Sequence, residues 1–255
     1  MKRLNYKEYG EGEPVVILHG LLGMLDNWHS FAKKLAEDYW VITVDQRNHG
    51  KSFHSNDFDY KLLSEDLNQF LDEMHIPQCH LMGHSMGGKT VMSYLVEYGD
   101  KVEKAIVVDI APQSFGGGHE VIFNALLDLD IENIKTRKEA EAFLKSRLGQ
   151  MSTVYFLLKN LARHKEGKGF RWKANVQALR NSYDLIKGNI ESEWPIDNDV
   201  LFVKGALSDY INEKEFDTVK DIFPNAHLNI IQDAGHWVHA DQPEVLLEEV
   251  LNFLK

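Results

Sequence analysis

The sequence predicts an α/β fold in which a mostly parallel, doubly wound sheet carries a helical cap insertion. Short apolar runs alternate with amphipathic helical patterns along most of the chain, as expected for strands buried beneath helices on both faces. Between residues 113 and 195 this alternation stops, and helical patterns follow one another without a strand. We therefore predict a core formed by residues 1–112 and 196–255 and a cap formed by residues 113–195.

Each predicted element follows from its hydrophobic period. The apolar runs that predict core strands are residues 15–18, 40–44, 79–82, 105–108, 200–203 and 227–231. Apolar residues at helical spacing predict core helices at residues 27–37, 62–74, 88–98, 213–223 and 244–254. The same spacing predicts four cap helices, at residues 120–129, 138–147, 153–164 and 173–186. The run at residues 15–18 is short and fully apolar, which is typical of a strand covered on both faces.

Composition narrows the class of protein. A chain of 255 residues can bury a large core without disulfides, and its single cysteine, Cys79, can form no intramolecular bridge. Together with the lack of a visible export signal or membrane-length apolar run, this predicts a cytoplasmic protein with no membrane span. The formal net charge of −11 argues against nucleic-acid binding, which requires a basic surface. The pattern predicts no particular oligomeric state.

The segment Gly83-His84-Ser85-Met86-Gly87 has the pattern of a nucleophile elbow. It follows a predicted strand directly and precedes a predicted helix. Such a turn exposes the serine hydroxyl in a strained backbone conformation, so the residues two before and two after it must be small. The N–H groups at the start of the helix favour negative charge beside the serine. Ser85 is therefore the predicted nucleophile.

A serine hydroxyl is a weak nucleophile and needs a base, which a third group must orient. His236 fits the base, since it follows the last predicted strand and precedes the closing helix. Four other histidines compete with it: His19, His49, His84 and His239. For His239, one helical turn further on, a structural role is favoured.

The acid has two candidates. The usual place is the loop after residues 200–203, where Ser208 occupies the acid's slot and Asp209 lies one residue late. A displacement of one residue turns a side chain away from the histidine, and catalytic geometry tolerates only about 0.5 Å. Asp109 closes the apolar run at 105–108, and a carboxylate there needs a partner such as His236. Asp109 is favoured and Asp209 is the alternative.

An acyl-transfer site also needs two backbone N–H groups that bind the oxyanion. The residue after the nucleophile, Met86, supplies one. The loop after residues 15–18 supplies the other, and in His19-Gly20-Leu21 the donor is expected to be Leu21. We assign no cofactor and no metal site.

These motifs resemble the α/β-hydrolase superfamily over the entire chain. More narrowly, the chain is similar to the group of YbfF-type esterases and abhydrolase-domain-containing protein 11. The segments that carry this resemblance are residues 19–27, 47–52, 83–89, 108–112 and 235–240. The resemblance implies an esterase acting on short acyl esters, with acyl-CoA thioesters among its possible substrates. It also implies that the aspartate of Asp109-Ile110-Ala111-Pro112 completes the triad.

The leading interpretation is thus a serine esterase or thioesterase of small-molecule acyl substrates. Carbon–carbon hydrolases, cofactor-free haloperoxidases and non-catalytic receptors share the fold and remain alternatives. The cap contains 13 Lys and Arg against 10 Asp and Glu, and so carries +3 on an otherwise acidic chain. A cluster in the cap could bind an anionic group such as a CoA phosphate, or could be a solvated turn: Lys159, Arg163, His164, Lys165, Lys168, Arg171 and Lys173.

Overall fold

The computed structural model of the protein describes residues 3–164 and 169–255. Its strands are β1 (Asn5–Tyr9), β2 (Pro14–Leu18), β3 (Trp40–Asp45), β4 (Cys79–His84), β5 (Val102–Val108), β6 (Leu161–Arg163), β7 (Phe170–Trp172), β8 (Asp199–Gly205) and β9 (Ala226–Ile231). Its α-helices are α1 (His29–Leu35), α2 (Tyr60–Glu73), α3 (Met86–Tyr98), α4 (Glu120–Asp128), α5 (Arg137–Leu148), α6 (Met151–Leu158), α7 (Val176–Asn181), α8 (Tyr183–Lys187), α9 (Phe216–Lys220), α10 (Val238–Asp241) and α11 (Pro243–Leu254).

Seven strands form one sheet in the order β1-β3-β2-β4-β5-β8-β9. Every neighbouring pair is parallel except β1 and β3, which are antiparallel. The mostly parallel α/β fold predicted from the sequence is thereby confirmed. The six predicted strands correspond to β2, β3, β4, β5, β8 and β9. Strand β1 has no apolar run because it lies at the sheet edge with three exposed central residues.

The sheet is covered by helices on both faces, which explains the continuous apolar runs. Val16 and Leu18 pack in the same cluster as residues of α2 and α3, such as Leu67 and Val91. Their neighbours in β2 point to the opposite face and pack with residues of α1 and α11. Full burial of each such side chain stabilises the fold by about 1.5–3 kcal/mol. This two-sided packing holds the carboxyl ends of the strands in a fixed arrangement.

The cap differs from its prediction. Helices α4 and α5 lie where two were expected, but the helix expected at residues 153–164 ends at Leu158, and the antiparallel pair β6–β7 follows. The helix expected at residues 173–186 begins at Val176 and is divided at Ser182 into α7 and α8. The expectation of four helices without a strand was therefore wrong. Short apolar segments fit either period, and here the cap packing selects strands.

The insertion leaves and rejoins the core at neighbouring points. Ile190 donates its backbone N–H to the carbonyl of Pro112 at 2.8 Å, and Phe115 donates to the carbonyl of Lys187 at 3.3 Å.

In the core, the helix expected at residues 213–223 is reduced to a 3-10 turn, Glu213–Glu215, and the short α9. None of the helices in the described ranges is long and apolar enough to cross a membrane.

Candidate active site

Ser85 lies at the sharp turn between β4 and α3, with φ +53° and ψ −118°. A Cβ atom added to Gly83 would lie 2.2 Å from the carbonyl oxygen of Gly87, and one added to Gly87 would lie 2.4 Å from that of Leu18. Both positions therefore require glycine. The positive φ at a serine costs about 1–3 kcal/mol, which the packing of β4 and α3 must offset. The turn directs the serine side chain toward the carboxyl end of the sheet.

Three side chains from distant parts of the chain meet there. The Oγ atom of Ser85 lies 3.0 Å from Nε2 of His236, and Nδ1 of His236 lies 2.8 Å from Oδ2 of Asp109. Asp109 directly follows β5 and is completely buried, whereas His236 is partly exposed. Since the carboxylate accepts from Nδ1–H, Nε2 of a neutral His236 is free to accept the serine proton. The structure thus brings together the three residues that the sequence analysis favoured.

The Asp109 carboxylate is held by two further donors. The backbone N–H of Gly205 donates to Oδ1 at 2.9 Å, and the hydroxyl of Ser208 donates to Oδ2. A buried carboxylate is tolerated only with such partners. Asp209, the alternative acid, is exposed, and in the described part of the chain its carboxylate makes no hydrogen bond with His236. Asp109 has φ +53°, so its backbone is also strained.

His236 is fixed by two aromatic neighbours that the sequence analysis did not assign. The ring of Tyr210 stacks on the imidazole, with centroids 4.0 Å apart and planes 22° apart. His84, the residue before the nucleophile, donates from Nε2 to the backbone carbonyl of His236 at 2.8 Å. Burial, reinforced by the nearby His236 and His239, holds the pKa of His84 well below its usual value. A neutral His84 therefore anchors the loop that carries His236.

The other competing histidines occupy structural positions. His239 stacks on Trp28 with ring centroids 4.4 Å apart, and burial lowers its pKa to about 3. His19 accepts the backbone N–H of Gln46 at 3.1 Å, and burial lowers its pKa to about 4. Across the described ranges, the imidazole that hydrogen-bonds with the Ser85 hydroxyl is that of His236. In the same ranges, no group of three or more His, Cys, Asp or Glu is placed to hold a metal ion.

The loop after β2 lies directly beside the serine. A Cβ atom added to Gly20 would lie 3.3 Å from the Cβ of Ser85. The loop turns tightly, because Gly23 donates its N–H to the Gly20 carbonyl at 2.9 Å and Leu22 adopts φ +59°. Leu21 lies within this turn and Met86 is the first residue of α3. In the described part of the chain, no backbone hydrogen bond uses the N–H of either residue.

A cavity opens above Ser85. Its floor comes from the core, and its roof comes from residues of the cap: His119, Ile122, Thr153, Phe156 and Leu157. Phe156 packs against Trp237, with ring centroids 5.4 Å apart. The roof is mainly apolar, as is typical of small-molecule sites. The arrangement can therefore hold an apolar chain beside a nucleophilic oxygen.

The sequence contains only weak signals for Ser208 and Tyr210, which the sequence analysis did not assign to the site. Ser208 stands in the slot where the acid usually lies, so a polar group was to be expected there. Tyr210 follows two residues later in the same loop, but nothing in the sequence places its ring on His236. Backbone strain is a clearer signal, and it is visible only in the structure. Three of the six described non-glycine residues with positive φ, Leu22, Ser85 and Asp109, lie at this site.

Comparisons with known proteins identify the family of this chain. A family model for the alpha/beta hydrolase fold matches residues 13–243. The chain is 35% identical over 242 residues to esterase YbfF of Escherichia coli (strain K12), covering 94% of this chain and 92% of that protein. It is 34% identical over 254 residues to the sn-1-specific diacylglycerol lipase ABHD11 of Danio rerio, covering 96% and 80% respectively.

A solved structure of a marine microorganism esterase matches this chain with a TM-score of 0.97 and 40% identity. The match covers 99% of this chain and 100% of that structure's chain. The family model, the relatives and this structure span nearly the whole chain, so both the core and the cap are included in the match. On these grounds, the chain belongs to the alpha/beta hydrolase fold family.

Proposed function

We propose that this protein is a serine esterase that hydrolyses short-chain acyl esters through an acyl-enzyme. The observation that carries the proposal is the hydrogen-bonded series from Ser85 Oγ to His236 Nε2, at 3.0 Å, and from His236 Nδ1 to Asp109, at 2.8 Å. This order of nucleophile, base and orienting acid supports acyl transfer. The similarity to an esterase and a lipase supports an ester as the substrate.

In the acylation step, Ser85 Oγ forms a bond to the acyl carbonyl carbon while its proton moves to His236 Nε2. The carbonyl electron pair moves to oxygen, and the N–H groups of Leu21 and Met86 bind the resulting oxyanion. Removing one such donor typically reduces the rate by about 100- to 1,000-fold. When the intermediate collapses, the bond to the alcohol oxygen breaks and the alcohol leaves with the proton from His236.

In the deacylation step, His236 takes a proton from water as the water oxygen bonds to the acyl carbon. A second oxyanion forms in the same place and collapses, which breaks the bond to Ser85 Oγ. The serine recovers its proton from His236, and the carboxylic acid departs. Asp109 keeps Nδ1 protonated and directed at its carboxylate, so Nε2 faces the serine in both steps.

The cavity supports a short apolar acyl chain, since Ile122, Phe156 and Leu157 form much of its roof. Fewer observations support acyl-CoA thioesters as substrates. In the basic cluster, Arg163 lies over the ring of Phe170 at 4.8 Å, whereas Lys165 and Lys168 lie outside the described residues. We therefore propose oxygen esters as the principal class and include acyl-CoAs in the test.

A fluorophosphonate probe tests the proposal directly, because it forms a covalent bond only with an activated serine. The wild-type protein is expected to take up the label and to hydrolyse p-nitrophenyl esters of short acyl chains. Ser85→Ala is expected to abolish both. Ser146→Ala is the matched control, since its exposed hydroxyl donates to the Phe143 carbonyl in its own helix. A folded wild-type protein that neither takes up the label nor cleaves any ester or acyl-CoA in the panel would disprove the proposal.

A further inference from the structure

The turn that carries the Leu21 N–H is held by both the core and the cap. From the core, His49 accepts the backbone N–H of Leu22 on its Nε2 at 3.1 Å. From the cap, Asn160 donates from Nδ2 to the backbone carbonyl of Leu22 at 2.6 Å. All three residues are buried. Asn160 lies between α6 and β6, so the contact spans the boundary between the insertion and the core.

This contact continues, through peptide groups, to the N–H of Leu21. Asn160 holds the C=O end of the peptide between Leu22 and Gly23, and the N–H end of that peptide donates to the carbonyl of Gly20 at 2.9 Å. The Gly20 carbonyl belongs to the same planar peptide as the Leu21 N–H. Because a trans peptide is rigid, fixing the direction of its carbonyl fixes the opposite direction of its N–H. Hydrogen bonds joined end to end in this way also polarise one another.

We propose that Asn160 is a positioning residue through which the seating of the cap orients the Leu21 N–H toward the oxyanion. The inference rests on the proposed function, because it assigns Asn160 a role in the same hydrolysis. Helix α6 gives the inference its physical basis. Thr153, Phe156 and Leu157 of α6 line the cavity, and Asn160 follows one turn later. An acyl chain in the cavity would therefore contact the helix that leads to Asn160.

A hydrogen bond that merely fastens the cap should affect stability without affecting the chemical step. The chain offers a matched control for this alternative. The buried hydroxyl of Tyr60, in α2, donates to the carbonyl of Ile186, in α8, at 2.7 Å. This bond also joins the core to the cap, but it makes no contact with the Gly20–Gly23 turn. Tyr60→Phe removes one cap–core hydrogen bond and leaves the series from Asn160 to Leu21 intact.

The test compares Asn160→Asp and Asn160→Ala with Tyr60→Phe on p-nitrophenyl butyrate. An aspartate has nearly the same shape but cannot donate from an ionised carboxylate, and alanine removes the group altogether. We expect both Asn160 variants to lose about 10- to 100-fold in kcat with KM within about twofold of wild type. A trifluoromethyl ketone, whose serine adduct places an oxyanion in the same position, should bind more weakly by a similar factor. Tyr60→Phe should retain kcat.

Hydrogen–deuterium exchange of residues 20–24 gives a second readout that does not depend on activity. Exchange should be faster in both Asn160 variants and unchanged in Tyr60→Phe. If the wild-type protein hydrolyses no ester, the proposed function fails, while the exchange data still test whether Asn160 holds the loop. If the wild-type protein is active, the inference alone is overturned by Asn160 variants with wild-type kcat, or by an equal loss of kcat in Tyr60→Phe.

Discussion

Ser208 donates its hydroxyl hydrogen bond to Oδ2 of Asp109, the same carboxylate oxygen that lies 2.8 Å from Nδ1 of His236. Ser208 stands in the loop after β8, in the slot where an acid is usually found in this fold. Asp109 stands instead at the end of the neighbouring strand, β5. The two loops are adjacent because β5 and β8 pair directly. The Ser208 hydroxyl therefore reaches the Asp109 carboxylate from the neighbouring loop.

The Ser208 hydroxyl should assist catalysis by orienting the carboxylate. Ser208→Ala removes one donor to the Asp109 carboxylate but leaves the Gly205 N–H in place, so we expect kcat to fall by about 3- to 10-fold. This loss is smaller than the one that would follow from the full free energy of a hydrogen bond to a charged group. Steady-state kinetics on p-nitrophenyl butyrate would measure this. Ser182→Ala, also a buried serine but in the cap between α7 and α8, is the control. Wild-type kcat in Ser208→Ala would contradict the prediction.

The two candidate acids should respond very differently to removal of their charge. Asp109→Asn keeps the size of the side chain but can no longer hold a protonated Nδ1 of His236, so we expect kcat to fall by about 1,000- to 10,000-fold. Asp209→Asn alters an exposed side chain and should change kcat by less than about twofold. Parallel kinetics with matched folding controls decide between them. The opposite ranking would identify Asp209 as the acid.

The buried histidines should make the protein sensitive to mild acid. Burial lowers the pKa of His49 from 6.5 to about 3 and that of His19 from 6.5 to about 4. As pH falls below 6.5, the unfolded chain binds protons that the folded chain excludes. The free energy of unfolding should therefore decrease by roughly 1.4 kcal/mol per pH unit for each such histidine, down to about pH 4. It should be fully recovered above pH 6.5.

Urea denaturation between about pH 7 and pH 5 measures this dependence. His49→Gln can retain an acceptor for the Leu22 N–H but does not titrate, so its slope against pH should be smaller by about one proton. His227→Gln, which makes the same substitution at an exposed histidine, is the control. Equal slopes in wild type and His49→Gln would show that His49 does not contribute.

Lys89 should secure the base of the cap. Its side chain is fully buried, and Nζ donates to the carbonyls of Pro112, Gln113 and Gly188, at the two ends of the insertion. Burial lowers its pKa to about 7. Lys89→Met leaves these carbonyls without this donor, so we expect the free energy of unfolding to fall by about 3 kcal/mol and KM to rise.

Lys104→Met provides the comparison for Lys89→Met. Lys104 also donates to backbone carbonyls, those of Phe253 and Leu254, but at the end of the chain and away from the cap. It should lower stability without changing KM. Urea denaturation and steady-state kinetics on both variants give the two quantities. If KM changes equally in both, Lys89 has no specific role at the cap.

Prediction from sequence succeeded where burial leaves a regular pattern. Strands β2, β3, β4, β5 and β8 are enclosed on both faces and appear as mainly apolar runs, whereas β9, at the sheet edge, is partly exposed. Strand β1 has no such run because one of its sides has no neighbouring strand and its centre faces water. In the cap, the segment after Leu158 is too short for its period to separate helix from strand, and contacts such as Trp172 Nε1 to the Leu126 carbonyl select β7.

The residues of the candidate site also divide into those that the local sequence indicates and those that only the structure identifies. Glycine spacing marks the turn at Ser85, because backbone carbonyls lie too close at Gly83 and Gly87 for any larger residue. His236 and Asp109 could be proposed because each follows a buried strand, where a polar side chain needs a reason to be present. Both signals are local, since they depend on which residues the backbone and the core will accept at one position.

Which groups touch was decided only by the tertiary structure. The choice of Asp109 over Asp209 as the partner of His236 depends on the pairing of β5 with β8, 90 or more residues apart in the chain. The hydrogen bond from Asn160 Nδ2 to the Leu22 carbonyl joins positions 138 residues apart. Hydrogen bonds require placement to within a few tenths of an ångström. A local pattern cannot supply that placement, because it arises from how the sheet and the cap pack against each other.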